Sequence, residues 1–152
     1  MVCCLGLTID ISRYISRLLQ NIYDQETRST TFFKASNVTL FAAVHVNDLC
    51  TLIPLEQWTE SLQHFLYDYV PYEQVQGLIV DTIIELVRFV LQNQYFIFDN
   101  KIYRQIKGCG FGRALNHLLA NIYMFYWQQD LVKTLVNQNE IFDRYLTEMF
   151  FT

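Results

Sequence analysis

Few side chains in this 152-residue chain have reactive chemistry to offer, and they are scattered. His45 and Asp48 follow an apolar run, His117 sits in the middle of another, and Thr147 and Glu148 lie near the other end. An imidazole grouped with carboxylates is a donor set for a borderline divalent ion, so His45, Asp48, Glu148 and His117 form one candidate metal site. The competing reading of His117, on an otherwise apolar helical pattern, is a packed histidine with one satisfied nitrogen. His64 lies among polar neighbours and reads as a surface residue. Gly108, Gly110 and Gly112 are three glycines in five residues, which permits positive φ and close approach of another backbone. They are not a dinucleotide fingerprint, because the preceding buried parallel strand and the final spacing are missing. Cys109, between two of them, has no base implied nearby and reads as inert. Tyr123, Phe125, Tyr126 and Trp127 are able to stack on bases. Consecutive aromatics point all round a helix, so at least half of them belong to a core or a protein interface.

The elements that carry these residues follow from periodicity. Ile9–Tyr23 places Ile11, Tyr14, Ile15, Leu18, Leu19 and Ile22 on one helical face, with Arg13, Arg17 and Gln20 opposite. Val38–Val46 is rich in β-branched and aromatic residues and reads as a strand. Leu55–Tyr69 is helical by the spacing of Trp58, Leu62, Phe65, Leu66 and Tyr69, opened by Pro54 and stopped by Pro71. Asp81–Gln92 is a helix with a wide apolar face and Asp81 as its N-cap. Tyr95 to Ile106 reads as a hairpin turning at Asp99-Asn100-Lys101. Arg113–Val136 reads as one long buried helix after the glycine turn.

Composition bounds the functional class. Apolar residues make up 52% and aromatic residues 16%, too much for disorder, and the length suits one domain with a single core. No apolar run is long enough for a membrane span, and Met1 to Leu7 lacks the basic start of a secretory signal. Four cysteines without a CxxC pair or zinc spacing fit reduced thiols in an intracellular compartment, nuclear or cytoplasmic. The net charge of −4, with 11 scattered Lys and Arg, argues against strong autonomous binding to a phosphate backbone.

Three stretches in order carry a family resemblance. Tyr103-Arg104-Gln105-Ile106-Lys107-Gly108, then Gly112, then Leu119-Ala120-Asn121-Ile122-Tyr123-Met124 resembles motif B of reverse transcriptases. Val46, Asp48, Leu49, Thr51, Ile53 and Pro54 resemble motif A, and Arg144 to Phe150 with Tyr145 resembles motif C. The chain is most similar to the Penelope-like retroelements, in which a helix, a Tyr-Asp pair and Ser-Thr-Thr-Phe precede the palm. Here Tyr23-Asp24 and Ser29-Thr30-Thr31-Phe32 stand in that place. The resemblance implies RNA-directed DNA polymerisation as the ancestral activity, with Mg²⁺ as cofactor and an RNA or DNA template–primer as partner. It implies nucleotide or template contacts at Asp48, Cys50, Gln105 and Gly108.

The departures fall on the metal ligands. Nucleotidyl transfer clamps the attacking and leaving oxygens between two Mg²⁺ ions held by carboxylates. The family's motif A aspartate falls on His45, and its two motif C aspartates fall on Thr147 and Glu148, so Glu148 alone keeps a carboxylate. The gating aromatic falls on Cys50. Phe33 to Val38 bridges directly where the family has a longer fingers segment, and the chain reaches its last residue before the family's returning strand and thumb.

The expectation is therefore an α+β chain forming one partial reverse-transcriptase-like domain over 1–152. Residues 1–37 supply an N-terminal helix and connector, and 38–152 the palm-like motifs. One short antiparallel sheet combines the Val38–Val46 strand, the hairpin around Asn100 and the segment near Tyr145, and about four helices pack on it. The expected role is a catalytically inactive palm with no bound cofactor. The alternative is a protein-interaction module that reuses the palm scaffold and meets its partner through exposed apolar surface. Residual RNA or RNA–DNA binding without catalysis is a third reading.

Overall fold

A computed structural model describes residues 6–27, 42–108, 110, 114–145 and 147–152. The chain is α+β. Helix α1 (Gly6–Thr27) leads to strand β1 (Ala42–His45), the single turn α2 (Leu49–Leu52) and helix α3 (Leu55–Tyr69). A 3₁₀ turn and the small hairpin β2 (Gln74–Val75) and β3 (Leu78–Ile79) connect to α4 (Val80–Gln92). The hairpin β4 (Tyr95–Phe98) and β5 (Lys101–Arg104) precedes α5 (Ala114–Trp127) and α6 (Gln129–Asn137). The hairpin β6 (Phe142–Tyr145) and β7 (Glu148–Phe151) closes the fold.

Helix α5 is the centre. Leu115, Asn116, Leu118, Leu119, Ala120, Ile122 and Met124 are all buried, so it is covered nearly all round, as its apolar sequence requires. Helices α1 and α3 pack on it, and α4 packs on both of those. Trp58, Leu62, Phe65 and Leu66 of α3 meet Ile83, Val87, Val90 and Leu91 of α4 in one core. Trp58 is fully buried and donates its indole N–H to the Ile53 carbonyl at 3.1 Å, so its polar atom is not left orphaned. Helix α1 buries the expected Ile15, Leu18 and Leu19 and packs Ile11 and Ile22 against the core, but it differs at one position and adds a polar stripe. Tyr14 is half exposed, while Thr8, Ser12 and Ser16 are buried beside Ile15 and Leu19. Small polar residues at four-residue spacing let α1 lie close to its neighbours.

Two boundaries move. Helix α4 starts at Val80, and Asp81 stands in its first turn, where its carboxylate accepts the Tyr67 hydroxyl at 2.8 Å instead of capping. The long helix of 113–136 is two helices meeting at Gln128, whose side chain is turned inward.

The sheet also differs from the expected one. A three-stranded antiparallel sheet has the order β1-β7-β6, and β4–β5 forms a separate two-stranded ribbon. The hairpin around Asn100 thus does not join the β1 sheet. Asp99 and Asn100 have φ of 48° and 55°, the geometry of a tight two-residue hairpin, and among the described residues it pairs only with itself. The strand that returns from the Tyr145 turn, read from sequence as missing, is β7, and it occupies the middle of the sheet. Residues 38–41 of the expected first strand, the Ser29–Phe32 stretch, Cys109, Gly112 and Arg113 lie outside the described residues. Among the described residues no helix is long and apolar enough to cross a membrane.

Candidate functional site

The register of the three-stranded sheet decides which reactive residues meet. His45 of β1 pairs across the ladder with Glu148 of β7, and Glu148 pairs in turn with Tyr145 of β6. Directly opposed side chains on one face lie within reach of each other. His45 Nδ1 stands 2.6 Å from Glu148 Oε1, and the two side chains are 50% and 44% exposed. A carboxylate only accepts, so this bond puts the proton on Nδ1. Thr147 sits in the β6–β7 turn, where its carbonyl accepts the Val46 N–H at 2.9 Å. His45, Thr147 and Glu148 are therefore gathered at one open corner of the sheet.

Asp48 follows on a short exposed turn. It adopts the left-handed conformation at φ 54° before α2 and makes no side-chain capping bond. Its carbonyl accepts the Thr51 and Leu52 amides and the Thr51 hydroxyl. Cys50, expected at the sugar-gating position, is buried within α2 and faces the fold.

The glycine turn presses on that same segment. Gly108 has φ +70°, and a Cβ built there would stand 2.5 Å from both the Cys50 carbonyl oxygen and the Thr51 Cα. Any side chain at 108 collides with backbone. Gly110 is held from both sides. Its N–H donates to Gln94 Oε1 at 2.9 Å, and its carbonyl accepts Asn116 Nδ2 at 2.5 Å. Gln94 is fully buried and Asn116 nearly so. Among the described residues Gln94 Nε2 and Asn116 Oδ1 lack a hydrogen-bond partner. Gln105 donates its backbone N–H to the Gln94 carbonyl at 2.8 Å and its side chain to the Lys107 carbonyl at 3.1 Å. It shapes the turn.

Sequence reasoning missed Gln94 and Asn116. The available signal was an amide on each side of the glycines, one ending an apolar helical run and one inside another. Arg144 was also missed as a site residue. Its Nε donates to Gln128 Oε1 at 2.6 Å and its Nη1 to Asn121 Oδ1 at 2.9 Å.

The remaining candidates separate. His117 is exposed on α5 and lines a cleft, so it is not a packed core histidine. His64 is exposed as expected, its ring centroid 6.2 Å from that of Tyr126. Tyr123, Phe125 and Tyr126 turn toward α3, against Trp58, Phe65 and Tyr69, and Trp127 alone of that run is exposed. Burial and the hydrogen bond to Asp68 raise the Tyr126 phenol well above the ordinary tyrosine value.

Among the described residues no three His, Cys, Asp or Glu side chains converge as a metal site, so the grouping of His45, Asp48, Glu148 and His117 is not assembled. The corner does not fit a two-Mg²⁺ clamp either. Mg²⁺ demands oxygen ligands in octahedral array, and the one carboxylate of the corner is engaged by an imidazole. No family model matches the chain, and no curated protein matches it.

Proposed function

We propose that the chain is a reverse-transcriptase-like palm in which nucleotidyl transfer has been lost, with His45 and Glu148 forming a hydrogen-bonded corner where the metal ligands of the family stand. The observation that carries this reading is the meeting of stretches that resemble separate motifs. The motif A and motif C positions meet at the pair His45–Glu148, 103 residues apart in sequence. The motif B glycine, Gly108, lies against Cys50 and Thr51 of the motif A stretch. A polymerase palm needs its carboxylates at such a meeting point, because both metals touch ligands from two strands.

Two measurements test the reading. Purified protein with template–primer, deoxynucleotides and Mg²⁺ or Mn²⁺ is expected to give no extension above a His45→Ala control, and extension above that control overturns the loss of activity. The triple variant His45→Asp, Thr147→Asp, Glu148→Asp is expected to bind Mn²⁺, read as broadening of amide signals confined to residues 44–48 and 145–149. The unsubstituted protein is expected to show none. A folded triple variant without that broadening counts against the palm reading itself.

A second reading, a protein-interaction module, is favoured by the β4–β5 ribbon. Ile102 is 74% exposed on one face of the ribbon, opposite Ile97, and Phe98 is 68% exposed on the other. Phe96 and Tyr103 stack at 5.4 Å on one face of the same ribbon. A ribbon with apolar residues exposed on both faces is of the kind that marks contact surfaces.

A further inference from the structure

The β4–β5 ribbon presents an open strand edge and a run of cations. Tyr95 and Phe96 at the base of β4 are half-buried, whereas every residue of β5 is exposed. The polarity of the β5 edge follows from the ladder. The Gln105 N–H donates to the Gln94 carbonyl at 2.8 Å, and these two residues stand opposite each other, one step beyond the Tyr95–Arg104 pair. Bonded and non-bonded pairs alternate along an antiparallel ladder, so Tyr95–Arg104 and Ile97–Ile102 are non-bonded pairs. The N–H and C=O of Ile102 and Arg104 therefore point away from β4, and among the described residues no strand meets them. Such a row of unpaired backbone groups is a template for one more strand.

Charge restricts what that strand is. Lys101, Arg104 and Lys107 place three of the chain's 11 Lys and Arg in a stretch, 101–107, that holds no Asp or Glu, on a chain of net charge −4. All three are exposed, and among the described residues none of them forms an ion pair, while Arg13, Arg88 and Lys133 each do. Lys101 and Arg104 lie on opposite faces of the ribbon, each beside apolar residues: Phe98 and Tyr103 share the face of Lys101, and Ile97 and Ile102 that of Arg104. Charges on an edge discourage indiscriminate pairing, and they favour a strand that sets carboxylates opposite them. A second copy is disfavoured, because β5 paired on itself about its centre sets each Lys101 against an Arg104, and like charges directly opposed are destabilising. The chain's own Glu140-Ile141-Phe142-Asp143 has complementary charge but is engaged: Glu140 accepts the Thr152 hydroxyl at 2.6 Å, and Asp143 the Arg144 backbone N–H at 2.8 Å.

We propose that β5 accepts an extended segment of a partner protein with the pattern acidic–apolar–apolar–acidic, its carboxylates opposite Lys101 and Arg104 and its apolar pair opposite Ile102 and Tyr103. Such a partner rests on the interaction-module reading of the ribbon and is independent of the palm reading. The test titrates the full ¹⁵N-labelled chain with short peptides that differ only in their centre, Glu-Val-Tyr-Glu, Gln-Val-Tyr-Gln or Lys-Val-Tyr-Lys, and with a single-stranded oligothymidylate, following backbone amide shifts. The acidic peptide is expected to shift residues 95–107 and to bind at least roughly threefold more tightly than the neutral one, the gain from two opposite-charge cross-strand pairs. The margin is expected to shrink with salt, and the basic peptide to bind most weakly. The double variant Lys101→Glu, Arg104→Glu changes exposed side chains and is expected to invert the order of the acidic and basic peptides. Ile102→Pro removes an N–H that β4 does not use and is expected to abolish the shifts. Should that variant fail to fold, the charge-reversed one decides. Equal binding of the acidic and neutral peptides, or an unchanged order in the folded double variant, overturns the acidic partner and leaves the interaction reading standing. Tighter binding of the oligothymidylate at 95–107 overturns it in favour of a phosphate backbone. No shift at 95–107 with any probe overturns both.

Discussion

At Gly108 the chain runs so close to Cys50 and Thr51 that no side chain fits between them. At His45 two half-exposed side chains reach across a strand ladder and touch through a single 2.6 Å contact. Both junctions tie the 45–51 segment to a distant part of the chain. The first is steric, buried and backed by Gln94 and Asn116, which grip the neighbouring Gly110. The second is electrostatic and open to water. Packed backbone tolerates almost no change, whereas an exposed pair of polar side chains is worth little. The scaffold is held at the glycine junction, while the pair at His45 is open to replacement.

The largest expected effect lies at the steric junction. Gly108→Ala combines a left-handed φ with a backbone collision and is expected to cost roughly 2–5 kcal/mol, or to prevent folding, as read by urea denaturation. A loss under about 1 kcal/mol breaks the comparison, because the loop would then be free to move aside.

A middle effect lies in the helical body, where Tyr126 bonds Asp68 at 2.8 Å between α5 and α3. Tyr126→Phe is expected to cost about 1 kcal/mol near neutral pH. Its pH dependence has a definite sign. The folded-state value is raised above the unfolded value of about 10. The contribution is therefore whole below pH ~10 and is lost as pH rises above it, when the unfolded chain ionises and the folded one resists. Melting temperature is expected to fall on that alkaline limb, and less steeply in Tyr126→Phe. An unchanged slope in the variant removes Tyr126 from the account.

The smallest effect belongs to the open corner. His45→Ala is expected to change stability by no more than about 0.5 kcal/mol, and a double-mutant cycle with Glu148→Gln to give a coupling below about 1 kcal/mol that shrinks with salt. A coupling several times larger would make the corner structural and erase the contrast with Gly108.

How much of this was legible depended on whether the signal was local. Leu55–Tyr69 was readable to both ends, because Pro54 and Pro71 bracket a regular apolar stripe. The ribbon at 95–104 was readable because Asp99 and Asn100 tolerate the left-handed turn that their positive φ values record. Its place outside the main sheet was not, since pairing partners are not written into a strand's own residues. The break at Gln128 was equally hidden. No glycine or proline marks it, and Gln128 turns inward to meet Arg144, sixteen residues on. The candidate site divides in the same way. His45, Glu148 and Gly108 were singled out by the motif order, but Gln94, Asn116 and Arg144 look ordinary until the residues they hold are beside them.

By itself the sequence determined the α+β class and the apolar helix at the centre of the core, because periodicity and side-chain chemistry are properties of nearby residues. The tertiary structure alone decided that β7 runs between β1 and β6, that His45 faces Glu148, and that Gly108 has no room for a Cβ. Those are outcomes of strand register and backbone approach between segments tens of residues apart, set by how the whole core packs.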